Sequence, residues 1–294
     1  MRIHNFLPLL LDCLKAWEKI PSEKQFNDRY LSAVGPLLQP MLDDFSSFRG
    51  YGFYEYVKKE VDWAPYRTHA LKLDSSKEEV RLKRCITRVE ELLGVKLAGE
   101  TVLFGAFSMM DGYARFERGS HRVFLGVDED CGVSNYLDIL ITHELTHVAR
   151  ESQSGVWTGY GLDPKMSHDE FVKVQPVIEH LMGEGFSCAV SEILNPKEDA
   201  WNFAYQTQDS YKDIVRNGKK VAEKVHRELK DPKGYYRNLY DTEGYGVQAE
   251  WFVHYVWAWH WVKHLIRDRC NGDPKQLVGK CSKEFRDDAL GFII

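Results

Sequence analysis

The 294-residue chain lacks a long apolar run, closely spaced cysteines and an excess of positive charge. No stretch approaches the roughly 18 apolar residues that a membrane-spanning helix needs, so we expect no membrane span. The net charge of −5 argues against a nucleic-acid partner, because phosphate recognition requires a basic surface. With 44% hydrophobic and 28% charged residues, the composition is typical of an ordinary globular protein.

The six cysteines are widely scattered, and no C-x-x-C pair is present. This spacing excludes a zinc knuckle and a thioredoxin-like redox site. An even count permits disulfides, but free buried thiols are the interpretation that we favour. At the N-terminus, the apolar run from Phe6 to Leu11 ends at Asp12, and no small-residue cleavage site follows. We therefore expect a cytoplasmic location.

Hydrophobic periodicity predicts helices on both sides of one short β-region. The segments 100–107, 112–118 and 121–128 are rich in β-branched and aromatic residues, which predicts a small, mostly antiparallel sheet. The predicted helices cover residues 75–94, 134–150, 168–194, 208–229 and 245–268. The predicted fold class is therefore α+β and mainly helical. We expect an N-terminal helical region over 1–98 and a second region over 99–294, packed together as one compact unit.

The helix predicted at 134–150 contains the pattern H-E-x-x-H, at His143, Glu144 and His147. Residues four apart lie on the same face of a helix, so both imidazoles could face one ion. Glu144 is turned by about 100° from His143, which leaves its carboxylate available to a bound water. The pattern predicts a zinc site in which the histidines are ligands and Glu144 is the general base. An ordinary amphipathic helix with two histidines is the alternative.

A third ligand would decide the class of zinc site. The metzincin pattern requires a glycine and then a histidine, and it is excluded because Arg150 and Gln153 occupy those positions. A later segment, "VIEHLMGEGF", offers Glu184 and, one turn earlier, His180. We predict Glu184 as the ligand, since a carboxylate from a second, antiparallel helix would leave the fourth position to water. His180 is the alternative ligand, or else a second-sphere, pocket or core residue.

Two glycines, Gly183 and Gly185, flank Glu184 within its predicted helix. Glycine in a helix interior costs about 1 kcal/mol relative to alanine, so a pair of them indicates a close approach of another backbone. We expect that neighbour to be the H-E-x-x-H helix.

These motifs resemble those of the gluzincin metallopeptidases. More narrowly, they resemble a group of bacterial domains of unknown function that are described as predicted zinc-dependent proteases. The resemblance covers roughly residues 100–265 and rests on "RVFLG" (122–126), "HELTH" (143–147), "EGFS" (184–187) and "EGYGV" (243–247). It implies a zincin-like fold and zinc-dependent hydrolysis of a peptide or protein substrate.

The resemblance also bears on residues around the ligands. It implies that Tyr245, in "EGYG", donates a hydrogen bond to the developing oxyanion, with a packed tyrosine at a helix start as the alternative. A thermolysin-type site has an aspartate where this chain has Cys188, so the partner that orients a histidine ligand must come from elsewhere. Gln248 stands where a small residue is more usual. His254, in an aromatic-rich helix, is a weaker candidate for the pocket.

Two other functions are compatible with these residues. One is a non-catalytic binding or regulatory protein with a zincin scaffold and a structural zinc ion. The other is a zinc hydrolase that acts on a non-peptide amide or ester.

Overall fold

The structure is a computed structural model that describes residues 1–128, 135–231, 234–249 and 251–294. It is mainly helical with one four-stranded sheet, which confirms the predicted α+β class. Within those ranges, no helix is long and apolar enough to cross a membrane. Five of the six cysteines are buried free thiols, and Cys131 lies outside the described residues.

The helices that precede the sheet's second strand are α1 (Leu7–Ala16), α2 (Glu23–Phe26), α3 (Ser32–Arg49), α4 (Phe53–Glu60), α5 (Trp63–Ala70) and α6 (Ser75–Leu93). The helices that follow the sheet are α7 (Tyr136–Glu151), α8 (Ser154–Thr158), α9 (His168–Val174), α10 (Val177–Leu194), α11 (Gln208–Arg216), α12 (Gly218–Lys230), α13 (Val253–Arg269) and α14 (Arg286–Gly291). A π-helical turn joins α2 to α3, and short 3₁₀ turns occur at Ala200–Ala204, Tyr236–Tyr240, Glu243–Tyr245, Pro274–Gln276 and Ser282–Phe285.

Three of the predicted helices have different boundaries in the structure. The range 168–194 is two helices, because Pro176 adopts an extended backbone and begins α10. The range 208–229 is likewise divided into α11 and α12. The helix predicted over 245–268 begins at Val253, because Phe252 adopts a left-handed backbone with φ of 52°. The differences at Pro176 and Phe252 arise from backbone conformations that hydrophobic periodicity does not report.

The sheet consists of β1 (Arg2–Asn5), β2 (Glu100–Phe104), β3 (Gly112–Glu117) and β4 (Ser120–Gly126). Its strand order is β1-β2-β4-β3, with β1 parallel to β2 and β2 parallel to β4. The prediction of a mostly antiparallel sheet was therefore wrong. The central strands β2 and β4 are almost continuously buried, as parallel strands usually are. The strand β1 has four residues, too few to show a pattern.

One buried carboxylate holds the segment that follows β2. Asp128 accepts hydrogen bonds from the backbone N–H groups of Ala106, at 2.8 Å, and Phe107, at 2.7 Å, and from the Tyr66 hydroxyl. Phe107 has a left-handed backbone with φ of 54°. The bonds to Asp128 stabilise this turn at the end of β2.

The chain forms two compact units. The first comprises Met1–Cys85, Ala98–Arg115 and His121–Leu137, and it contains most of the sheet. The second comprises Ile86–Leu97, Phe116–Ser120 and Asp138–Ile294. Every site residue predicted from the sequence belongs to the second unit. The chain passes from the second unit to the first between Leu97 and Ala98, one residue before the predicted boundary between 98 and 99. Each unit nevertheless contains segments from both sides of this position.

Helices α7 and α10 lie side by side within the second unit. The hydroxyl of Thr142 on α7 lies 3.0 Å from that of Ser191 on α10. At the other end of the pair, the Arg150 guanidinium donates to the Glu179 carboxylate at 2.7 Å. The contact residue on α7 with the higher residue number, Arg150, pairs with the one on α10 with the lower number, Glu179. The two helices are therefore antiparallel.

The two glycines of α10 face different neighbours. A Cβ atom on Gly185 would overlap the carbonyl oxygen of Ala258 on α13, whereas one on Gly183 would lie 3.6 Å from the His147 ring. The closest approach is therefore between α10 and α13, and not between α10 and α7 as we expected from the sequence.

Because the two glycines face different neighbours, replacing each by alanine should change the free energy of unfolding in opposite directions. Gly185→Ala is expected to lower the free energy of unfolding by about 1–3 kcal/mol, because the added methyl group overlaps the neighbouring helix. Gly183→Ala is the matched control, since it gains helix propensity and meets only an ordinary contact. Urea unfolding of both variants measures the difference. Equal stabilities would contradict the close packing of α10 on α13.

Candidate metal centre

Three side chains from α7 and α10 meet at one point in the second unit. Nε2 of His143 lies 3.2 Å from Nε2 of His147 and 3.2 Å from Oε2 of Glu184. Nε2 of His147 lies 3.3 Å from the same Glu184 oxygen. These three residues are the group, among the described residues, that could hold a metal ion.

The local sequence explains why the three atoms converge. His143 and His147 are four residues apart on α7, which places both rings on the face towards α10. On α10, Glu184 lies between the levels of the two interhelical contacts described above, which bring it opposite the histidines. All three side chains are nearly buried, with side-chain exposures of 3%, 12% and 9% in chain order. The cluster is therefore shielded from bulk water.

Burial and mutual contact shift the pKa values of the cluster in different directions. Burial alone would raise the pKa of Glu184, but the neighbouring histidines outweigh it and hold this pKa well below the usual range. Burial would lower the pKa of His147, but the carboxylates of Glu184 and Glu151 raise it well above the usual value. Burial lowers the pKa of His143. The Glu184 carboxylate and the His147 imidazole thus stabilise each other's charged forms.

Glu144 lies on α7 beside the cluster but is not one of its three members. Its side chain is buried, with 8% of the residue exposed. Because it follows His143 directly, its side chain leaves the helix about 100° away from that ligand. Glu144 is therefore separate from the three candidate ligands, and its role as general base stays a prediction.

Each of the two clustered histidines has a second polar contact. Nδ1 of His147 lies 3.4 Å from Oε1 of Glu151, and Nδ1 of His143 lies 4.0 Å from the Cys188 sulfur. The sequence analysis named Cys188 but missed Glu151. The signal for Glu151 was present, since it stands one further helical turn after His147 on the same face.

His180 and His254 form a pair beside Glu184. Their Nε2 atoms are 3.3 Å apart, and Nδ1 of His180 lies 3.8 Å from Oε1 of Glu184. Burial lowers the pKa of His180 to about 4 and that of His254 well below the usual value, so one neutral ring donates to the other. His180 is thus nearer to Oε1 of Glu184, whereas the histidines of α7 contact Oε2.

None of the described contacts of Tyr245 is with the metal cluster. It lies in the 3₁₀ turn Glu243–Tyr245 rather than at the start of α13, and its buried hydroxyl donates to the Leu239 carbonyl at 2.9 Å. Burial raises its pKa, and the carboxylates that raise it further are Glu228 and Asp241. Its hydroxyl proton is thus engaged elsewhere, and the oxyanion role stays a prediction.

Two other tyrosines, which the sequence analysis did not single out, contact the cluster. The Tyr255 ring stacks on the His143 ring, with 6.1 Å between the ring centroids. The Tyr205 ring meets the His143 ring edge-on, with 5.3 Å between the centroids. Burial raises the pKa of Tyr255 well above the usual value, and the Glu184 carboxylate raises it further. The Tyr255 hydroxyl lies 3.3 Å from the Tyr240 hydroxyl.

Tyr205 also borders a cleft with a volume of about 490 Å³. Among the residues that the structure describes, the remaining lining residues are neutral: Gln206, Thr207, Ser210, Val247, Gln248, Ala249 and Trp251. Trp251 is 61% exposed, and Gln248, which departs from the expected small residue, forms part of the wall. A cleft with amide, hydroxyl and aromatic groups in its described lining thus lies next to the ring that contacts His143.

A scan against protein-family models, a search of curated proteins and a search of solved structures each found no match to this chain. The function is therefore inferred from the residues of the site.

Proposed function

We propose that the protein is a zinc-dependent metallopeptidase. The observation that supports this proposal best is the triangle formed by Nε2 of His143, Nε2 of His147 and Oε2 of Glu184, with edges of 3.2, 3.2 and 3.3 Å. Ligands at about 2.0–2.1 Å from a tetrahedral zinc ion are separated by about 3.3 Å, so these atoms fit zinc closely.

The donor set also favours a catalytic rather than a structural site. Structural zinc sites are closed by four protein ligands, whereas hydrolytic sites have three and leave a fourth position to water or substrate. The described cluster comprises three residues, two histidines and a carboxylate. In such sites zinc supplies a more acidic water and polarises a carbonyl group.

Glu144 is the proposed general base. Its carboxylate would accept a proton from the attacking water and donate it to the leaving amine nitrogen, which is how one residue serves both halves of amide hydrolysis. The amide and hydroxyl groups that the structure describes in the cleft beside Tyr205 support a peptide substrate, because such groups can pair with a peptide backbone.

Metal removal and restoration test this proposal. We expect the purified protein to contain about one zinc ion per chain by mass spectrometry of the metal. Treatment with 1,10-phenanthroline should abolish cleavage of a fluorogenic peptide library, and equimolar zinc should restore it. A chain without stoichiometric metal would contradict the metal site. A zinc-loaded chain that cleaves an amide or ester library, but no peptide, would contradict the peptidase assignment alone.

A further inference from the structure

The orientation of a histidine ligand depends on the partner of its second ring nitrogen. A neutral imidazole carries one N–H group, and a carboxylate that accepts from Nδ1–H leaves the lone pair of Nε2 directed at the metal. In this chain, Nδ1 of His147 faces Oε1 of Glu151 at 3.4 Å, and Nε2 is the atom in the cluster. Both side chains are buried, with exposures of 12% and 10%, so water does not compete freely for this contact.

We propose that Glu151 is a positioning residue that holds His147 in the ring orientation and tautomer needed to bind the metal. This inference rests on the proposed metal site. Glu151 stands four residues after His147 on α7, so the contact is built into one helix and needs no other element to form it. It supplies the orienting carboxylate that the cysteine at position 188 does not provide.

Glu151 is itself fixed by the segment that follows α7. The indole N–H of Trp157 donates to the Glu151 carbonyl at 2.6 Å. Trp157 is fully buried in a hydrophobic cluster with Phe116, Val156, Met166 and Phe171. The last turn of α7 is therefore held against this cluster, and the Glu151 carboxylate is directed back towards His147.

His143, the other histidine of the cluster, has a much weaker partner at its Nδ1 atom. The Cys188 sulfur lies 4.0 Å from Nδ1 of His143, and sulfur is a poor hydrogen-bonding atom. The two ligands from α7 thus differ in how firmly they are held. We expect His147 to depend on its buried carboxylate more than His143 depends on the thiol.

Metal affinity measured by chelator competition tests the role of Glu151. Glu151→Ala is expected to weaken zinc binding by about 10–100-fold, the usual effect of removing such a partner. Glu151→Gln, whose amide oxygen can still accept from Nδ1–H, should recover most of that loss. Glu78→Gln is the matched control, because Glu78 and Glu151 each have 8% of the whole residue exposed, but Glu78 belongs to the first compact unit. It should bind zinc as the wild type does.

A spectroscopic readout separates positioning from general stability. The d–d absorption of the Co²⁺-substituted protein reports ligand geometry, and it should change in Glu151→Ala and not in Glu78→Gln. Trp157→Phe, which removes the indole N–H and keeps an aromatic ring, should shift the same bands in the same direction. If Glu151→Ala does not fold, Trp157→Phe decides the question by the same two measurements.

Two outcomes would overturn the inference in distinguishable ways. If the wild type binds zinc and Glu151→Ala binds it equally well with unchanged Co²⁺ bands, the positioning role is wrong and the metal site stands. If the wild type binds neither metal, the metal site itself fails, and the inference with it.

Discussion

Glu144→Gln should leave the metal content unchanged and lower peptide hydrolysis by about 10²–10⁴-fold, the range that a general base contributes. Glutamine has nearly the same shape as glutamate but cannot accept a proton from the attacking water. Metal retention is expected because Glu144 is not one of the three clustered side chains. The measurements are kcat on a cleaved fluorogenic peptide and zinc per chain on the same preparation.

Glu78→Gln again serves as the control, since it makes the same chemical change at another buried glutamate. Full activity of Glu144→Gln would show that another group accepts the proton. Loss of zinc from Glu144→Gln, with the fold intact by circular dichroism, would instead make Glu144 a ligand. Either result would require a different assignment of the H-E-x-x-H motif.

Removal of the third ligand should have the largest effect on metal binding. We expect Glu184→Ala to weaken zinc binding by more than the roughly 100-fold that loss of a second-sphere partner can cause, because a direct bond to the metal disappears. The two histidines would also lose the buried carboxylate that lies 3.2 and 3.3 Å from their Nε2 atoms. Chelator competition measures the affinity, and elemental analysis after dialysis measures the stoichiometry.

His180→Gln is the informative control for this prediction. His180 lies 3.8 Å from the other Glu184 oxygen, so its replacement should leave one zinc ion per chain. Retention of stoichiometric zinc by Glu184→Ala, together with its loss from the variant that lacks both Glu184 and His180, would transfer the ligand role to His180.

Local helix geometry explains how much of the site could be predicted from the sequence. The four-residue spacing of His143 and His147 determines their common face without reference to the rest of the fold. Glu184 could be predicted because it is a carboxylate in a second helical segment. The structure brings these three side chains together at 3.2–3.3 Å.

The remaining parts of the site depend on contacts that no local pattern reports. Tyr255 reaches His143 from α13, which begins only after Phe252 has taken a left-handed backbone. Tyr205 also has a left-handed backbone, with φ of 54°, and stands outside every motif that we identified. The parallel pairing of β2 with β4 is likewise non-local, since a strand's sequence reports its burial but does not name its neighbour.

The antiparallel pairing of α7 and α10 has a consequence for the length of chain that can separate the histidines from the third ligand. His143 and Glu184 are 41 residues apart in the chain, yet their positions are set by the register of two helices that are also joined at Thr142–Ser191 and Arg150–Glu179. Insertions or deletions in the connection would leave this register intact, provided that Trp157 kept its bond to the end of α7. The third ligand is therefore better sought in other chains by the helix that faces H-E-x-x-H than by a fixed sequence interval.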